Sequence, residues 1–268
     1  MTYFGFLLRF LIIPISILLI LNLRDRKYST YNLNRMNVSY AIFIHIIMAL
    51  VYTTPWDNYL VATGVWYYKH QLVSGFILGY VPIEEYTFFA LETILAGLWL
   101  WFLASRLLQP GDFKPSKRKR FTASLLLIII LAVFVLLFFK KDQSIIYLSL
   151  IVVWALPAIL PQFLFGADIL WHHRKLIILA ILPVSIYLSF IDSLAISSGT
   201  WTIDPARSTG IMVGALPIEE AIFFLITNVL IGFGMTLLIV KESPVRFRDI
   251  LQHVGYSVVL FRRDKLMK

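Results

Sequence analysis

The chain has 268 residues, of which 59% are hydrophobic and 15% charged, with a mean hydropathy of +0.81. A soluble globule needs more polar surface than this, so the composition excludes one and predicts an all-α integral membrane protein. The formal charge of +9 does not indicate nucleic acid, because Lys and Arg sit on loops beside apolar stretches rather than among stacking aromatics. The absence of cysteine rules out disulfides, thiolate metal sites and cysteine nucleophiles.

Apolar stretches long enough to cross about 30 Å of hydrocarbon are predicted near 3–23, 38–55, 76–105, 121–139, 145–165, 176–197 and 209–240. The first is expected to be retained rather than cleaved as a signal peptide, since it carries Pro14 and no small-residue cleavage pattern follows it. After the second come Asp57, Gly64 and an aromatic run, Trp66-Tyr67-Tyr68; after the sixth come Asp192, Gly199 and Trp201-Thr202-Ile203. Both runs are expected to form small strands or caps over whatever lies beneath. The third stretch contains Pro82-Ile83-Glu84-Glu85 and the seventh Pro217-Ile218-Glu219-Glu220. Pro82 inside the third stretch predicts a kink or helix break just before the carboxylates, with Gly75 and Gly79 allowing close helix approach. Beyond Ser243, basic residues from Arg246 to Lys268 surround Ile250, Leu251, Val258 and Val259, the pattern of an amphipathic surface helix.

Sliding the chain by 135 residues superposes the two Glu-Glu motifs together with Asp57 on Asp192, Gly64 on Gly199, Trp66 on Trp201, Phe88 and Phe89 on Phe223 and Phe224, and Gly97 on Gly232. Roughly a third of the window is identical, which marks a tandem duplication. The predicted architecture is two parallel three-helix repeats, residues 1–105 and 141–242. A basic loop and linker helix over 106–140 join them, and a basic tail spans 243–268. The unmatched linker helix makes both repeats enter the bilayer in the same direction, so both motifs should share one side of the membrane. Lys and Arg gather on the loops around 24–35, 106–120 and 174–175 and on the tail, which predicts an outer N-terminus and a cytoplasmic C-terminus in a bacterial cytoplasmic membrane. The glutamates then lie towards the outer leaflet, at similar depth to Asp57 and Asp192.

A charged carboxylate in lipid costs several kcal/mol unless it is paired or keeps its proton, and no Lys or Arg of these spans lies at the right depth. Adjacent acids also repel when charged, so at least one of each pair is expected to hold its proton near neutrality, placing a proton donor beside a carboxylate base. Phe88 and Phe89 follow Glu84 and Glu85 by one helical turn, and aromatic faces stabilise cations. Glu92, two turns beyond Glu85, is the one asymmetric acid, with Thr227 as its counterpart.

The duplicated Pro-x-Glu-Glu motifs, the aromatics that follow, and the Gly-x-Trp and spaced glycines before them resemble the membrane-integral lycopene cyclases of the heterodimeric and CarR type, in their fused two-repeat form. The resemblance covers residues 1–240 and implies a lycopene cyclase that forms ionone rings, most often β rings, on a linear carotenoid drawn from the bilayer. Other enzymes of the carotenoid pathway are its implied neighbours. It assigns acid and base roles to Glu84, Glu85, Glu219 and Glu220, shaped by Pro82 and Pro217. Asp57, Asp192, Phe88, Phe89, Phe223, Phe224, Trp66, Trp201 and Glu92 support them. A single composite site between the repeats, visited by one end of the substrate at a time, fits motifs on one side of the membrane. No cofactor or metal is expected: there is no dinucleotide fingerprint, and His172 and His173 lie on a loop far from the acids. The rival from another class is a proton-coupled three-one-three transporter using the same acidic cluster. An intramembrane protease of the Glu-Glu-x-x-x-Arg type is disfavoured, because Phe89 and Phe224 stand where Arg is needed.

Overall fold

The computed structural model describes residues 1–24, 35–108, 111–140 and 142–252. Seven helices are long and apolar enough to cross a membrane: α1 (Tyr3–Arg24), α2 (Arg35–Ala62), α3 (Ile83–Leu107), α4 (Lys117–Phe139), α5 (Ile146–His172), α6 (Arg174–Ser197) and α7 (Ile218–Ile239). The protein is therefore an all-helical integral membrane protein, with outward-facing Leu, Ile, Val and Phe where lipid would lie. The remaining secondary structure includes six short strands in three pairs: β1 (Trp66–Tyr68), β2 (Ile77–Leu78), β3 (Val81–Pro82), β4 (Trp201–Ile203), β5 (Met212–Val213) and β6 (Leu216–Pro217).

The third and seventh spans begin later than hydropathy suggests. Residues 76–82 and 211–217 do not extend the helices; each forms a two-stranded hairpin, β2–β3 and β5–β6, leading directly into α3 and α7. Pro82 and Pro217 are the N-caps of those helices rather than interior kinks. Gly79, at φ +71°, takes the first central position of a two-residue hairpin turn, where a positive φ is required and a side chain is disfavoured. Gly75 likewise sits in a turn, so neither glycine serves helix contact. Close approach falls instead to Gly97 and Gly232. A Cβ on Gly97 would meet Ile42 of α2 at 2.7 Å, and one on Gly232 would meet Ile181 of α6 at 2.9 Å.

The repeats are related by an internal twofold. Strands β1 and β4 pair antiparallel with Trp66 opposite Ile203, Tyr67 opposite Thr202 and Tyr68 opposite Trp201. Exchanging each residue for its 135-shifted image turns the Trp66–Ile203 pair into Trp201–Tyr68 and leaves Tyr67–Thr202 in place, which puts the axis at Tyr67 and Thr202. Helix contacts obey the same exchange: α3 packs on α6 as α7 packs on α2, and α3 meets α7 at the centre. Tyr52 of α2 donates to the Trp154 carbonyl of α5 at 2.7 Å, and its image Tyr187 of α6 donates to the Phe10 carbonyl of α1 at 2.8 Å. The linker helix α4 lies outside this core and packs on α5.

The helical stretch over 242–252 departs from a free surface helix. Arg246 is buried and forms a two-pronged ion pair with Asp168 of α5, at 2.6 and 2.8 Å, which also accepts the Ser116 N–H. Val258, Val259 and the later basic residues of the predicted amphipathic helix lie outside the described residues.

Candidate active site

The chain reverses after α2 and α6 through matching turns: Gly64 N–H bonds the Val61 carbonyl, as Gly199 N–H bonds that of Ile196. These turns deliver Trp66 and Trp201 to β1 and β4, which lie across the ends of the helices. The hairpins then set the first turns of α3 and α7, where both glutamates of each motif lie next to the positive end of the helix dipole.

Within each motif the two carboxylates have different surroundings. Glu84 is fully buried and accepts the Ser74 N–H at 2.5 Å, and Glu219 accepts the Thr209 N–H at 2.6 Å, one 135-residue image of the other. These two side chains tie the incoming loops to the helix starts. Glu85 and Glu220 turn the other way, into a cavity between the repeats. The cavity is lined by Tyr3, Trp66, Tyr68, Glu85 and Phe88 from the first repeat and by Asp192, Trp201, Glu220, Phe223 and Phe224 from the second. Both motifs therefore reach one space at one end of the bundle, as parallel repeats require.

Each cavity-facing glutamate is held by a tyrosine at the start of its repeat. Tyr3 of α1 donates to Glu85 Oε2 at 2.5 Å, and Tyr147 of α5 donates to Glu220 Oε1 at 2.5 Å. Sequence comparison at a fixed offset passes over this pair, because Tyr3 and Tyr147 are 144 residues apart, a nine-residue shift from the rest of the repeat. Glu85 Oε2 has a second donor, Tyr68, at 3.0 Å. Burial and the neighbouring Glu85 carboxylate push the Tyr68 hydroxyl well above the ordinary tyrosine range, so it remains a donor. Asp192 accepts the Trp201 indole N–H at 2.8 Å. Its image Asp57 is buried off the cavity lining, and neither of its carboxylate oxygens has a hydrogen-bond partner among the described residues.

The aromatic complement is dense. Trp56 stacks on Trp154 and on Phe223, with ring centroids 4.6 and 5.7 Å away, while Phe88 meets Phe224 edge-on at 6.2 Å across the repeat boundary. Phe89 packs behind Phe88 and does not line the cavity. Glu92 lies deeper and accepts the hydroxyl of Thr227, its own image, at 2.9 Å. The predicted asymmetric acid thus sits on the twofold itself, bonded across it. Tyr3 and Tyr147, which hold the cavity glutamates, and Trp56 and Trp154, which pack behind the cavity, are residues that sequence reasoning did not single out, and Tyr68 was expected only as part of a capping strand.

One other group of ligand-type side chains stands at the far ends of α5 and α7. His172, His173 and Glu242 bring one donor atom each within 4.8 Å of one another, and His173 Nε2 lies 3.3 Å from Glu242 Oε2. That hydrogen bond holds Glu242 below the usual carboxylate range. These residues could hold a metal ion; α5 and α7 separate them from the cavity.

The family model described as lycopene cyclase matches residues 1–103 and 143–238, taking in both repeats and omitting α4. Lycopene beta-cyclase from Halobacterium salinarum is 38% identical over 197 residues, covering 74% of this chain and 81% of its own length. Bifunctional lycopene cyclase/phytoene synthases from Aspergillus niger and Phaeosphaeria nodorum are 32% and 31% identical, covering 72% and 73% of this chain but 34% and 35% of their own lengths. No solved structure matches this one. With both repeats, both Glu-Glu motifs and the cavity between them inside the matched stretches, the chain belongs to the lycopene cyclase family.

Proposed function

We propose that this chain is a lycopene β-cyclase and that ring closure takes place in the cavity between the repeats. The observation that carries this reading is one shared cavity receiving a single glutamate from each motif and walled by aromatic rings. A carboxylic acid there protonates the terminal double bond of a linear end group, and the tertiary cation is attacked by an internal double bond. A carboxylate then removes a ring proton. One proton enters and one leaves, so the product is an isomer of the substrate. Trp66, Trp201, Phe88, Phe223 and Phe224 line the cavity and supply the aromatic surroundings that stabilise a cationic stage.

One glutamate from each motif faces the same space, so a two-ring product calls for two visits by the substrate. Residues 1–105 and 141–242 act as the two halves of this site, with 106–140 as a connector and 243–268 as a basic tail. Lysine and arginine placement supports an outer N-terminus, a cytoplasmic C-terminus and a site near the outer leaflet of a bacterial cytoplasmic membrane. Lycopene within the bilayer is the substrate, and neighbouring enzymes of carotenoid synthesis are the natural partners.

The test is expression in a lycopene-accumulating bacterial host with chromatographic analysis of the pigments. β-Carotene and its one-ring precursor are expected from the native chain, and lycopene alone from a Glu85→Gln/Glu220→Gln variant present in the membrane at the same level. Unchanged lycopene with the native chain would overturn the reading and favour the transporter alternative.

A further inference from the structure

The twofold relating the repeats is broken at the cavity in two places: Asp192 lines it and accepts the Trp201 indole while its image Asp57, among the described residues, does neither, and the donors to the two glutamates differ. Tyr68 donates to Glu85, whereas its image is Ile203, which has no hydroxyl to offer Glu220. The bonds from Tyr3 and Tyr147 are alike in length and cancel in any comparison of the halves. Among the described residues, Glu85 therefore receives two phenol hydrogen bonds, both on Oε2, and Glu220 receives one.

Resting on the cyclase reading above, we propose that the halves divide the reaction: Glu220 donates the proton that starts ring closure, and Glu85, positioned by Tyr68, takes the ring proton that ends it. Hydrogen bonds from hydroxyls to a carboxylate are worth about twice as much when the acceptor is ionised as when it is neutral. The glutamate with two such donors is accordingly the one set up to be the carboxylate. With both bonds on Oε2, its Oε1 is left for the substrate. Glu220, with one phenol donor against two, is the less favoured carboxylate and is left to carry the proton.

The steps balance without any other reagent. The Glu220 O–H proton goes to the inner, CH carbon of the terminal double bond, whose π pair forms the new C–H bond and leaves the tertiary cation on the dimethyl carbon. The tertiary cation takes the π pair of the internal double bond to form the ring C–C bond. Glu85 then removes a ring proton, and the released pair becomes the ring double bond. Glu220 is left as carboxylate and Glu85 as acid, and the pair is reset by moving one proton back between them.

The ring double bond provides a readout specific to the base. Rings of the β, ε and γ type arise from one common cation and differ only in which proton is removed, so their ratio reports the base and is blind to the acid. The experiment measures turnover and ring-type ratio in membranes containing lycopene for the native chain, Glu85→Asp, Tyr68→Phe, Glu220→Asp and Tyr147→Phe. Glu85→Asp and Tyr68→Phe should raise the share of non-β rings, by about tenfold for Glu85→Asp, as expected when a reacting group is withdrawn by one methylene. Glu220→Asp and Tyr147→Phe should slow turnover with the native ratio kept. Tyr68→Phe retains the ring that stacks 6.3 Å from Tyr3, so its fold is preserved. A changed ratio in the Glu220 or Tyr147 variants alone, in all four, or in none overturns the division of roles. Absence of cyclic product from the native chain overturns the cyclase reading itself.

Discussion

Replacing either glutamate of the first motif by glutamine should produce two different defects. Glu84 is fully buried, with Oε1 on the Ser74 N–H at 2.5 Å and Oε2 without a partner among the described residues. Glutamine keeps a carbonyl for Ser74 but puts two N–H donors where the structure supplies no acceptor. Burying them costs about 1–3 kcal/mol of stability. Because Glu84 does not line the cavity, turnover should stay within about tenfold of native, the effect of a slightly misplaced hairpin. Glu85→Gln retains an acceptor for Tyr3 and Tyr68, so it should leave stability nearly unchanged. It cannot exchange a proton, and loss of a general acid or base costs about 10²–10⁴-fold in rate, or roughly 3–5 kcal/mol of barrier. The assay pairs initial rates on lycopene in nanodiscs with thermal unfolding followed by tryptophan fluorescence. The reasoning is refuted if Glu84→Gln keeps its melting temperature and loses a hundredfold in rate.

Further outcomes follow from other contacts. Arg246→Met leaves Asp168 with two backbone N–H groups and Arg120, 4.0 Å away, and should cost about 1.5–3 kcal/mol, while adding Asp168→Leu should restore most of it; unfolding of both variants checks this. Gly97→Leu drives a side chain into Ile42 and Met235, and the overpacking should cost about 1–3 kcal/mol, read by the same unfolding assay. Glu242 is held below its ordinary range in the folded chain, so the unfolded chain binds more protons. Its contribution is complete above the ordinary glutamate range and is lost as pH falls through the lower folded value. Proteolysis at 242–252 should therefore rise below about pH 4, and Glu242→Gln should remove that dependence.

The seven spans, the tandem repeat and the shared side of the two motifs were legible because composition and self-similarity carry them. The strand character of Trp66–Tyr68 and Trp201–Ile203 was legible from aromatic and β-branched residues after a glycine, and each turned out to be the partner of the other. The starts of α3 and α7 were misplaced because hydropathy counts apolar atoms, and Phe76-Ile77-Leu78 is as apolar in a hairpin as in a helix. Gly75 and Gly79 were misassigned for a related reason, since a glycine in an apolar run serves a turn or a helix crossing equally well. The separate surroundings of Glu84 and Glu85 depend on the Ser74 N–H, and a backbone donor leaves no mark in a side-chain pattern. Tyr3 and Tyr147 escaped because their spacing departs from the common offset, and a π-helical turn, Leu8–Ile12, interrupts α1 shortly after Tyr3.

The twofold seam between β1 and β4 bears on how such a catalyst can arise. A homodimer of three-helix chains joined at this seam would be isologous and would enclose a single chamber on its axis, offering two identical glutamates in identical settings. Acid–base chemistry asks one of them to be charged while the other is not, so a symmetric ancestor could run it only by breaking symmetry anew at each turnover. Joining two copies in one gene lifts that restriction. Each copy can then drift alone, and one tyrosine kept at 68 with an isoleucine at 203 is enough to write the polarity of the reaction permanently into the chain.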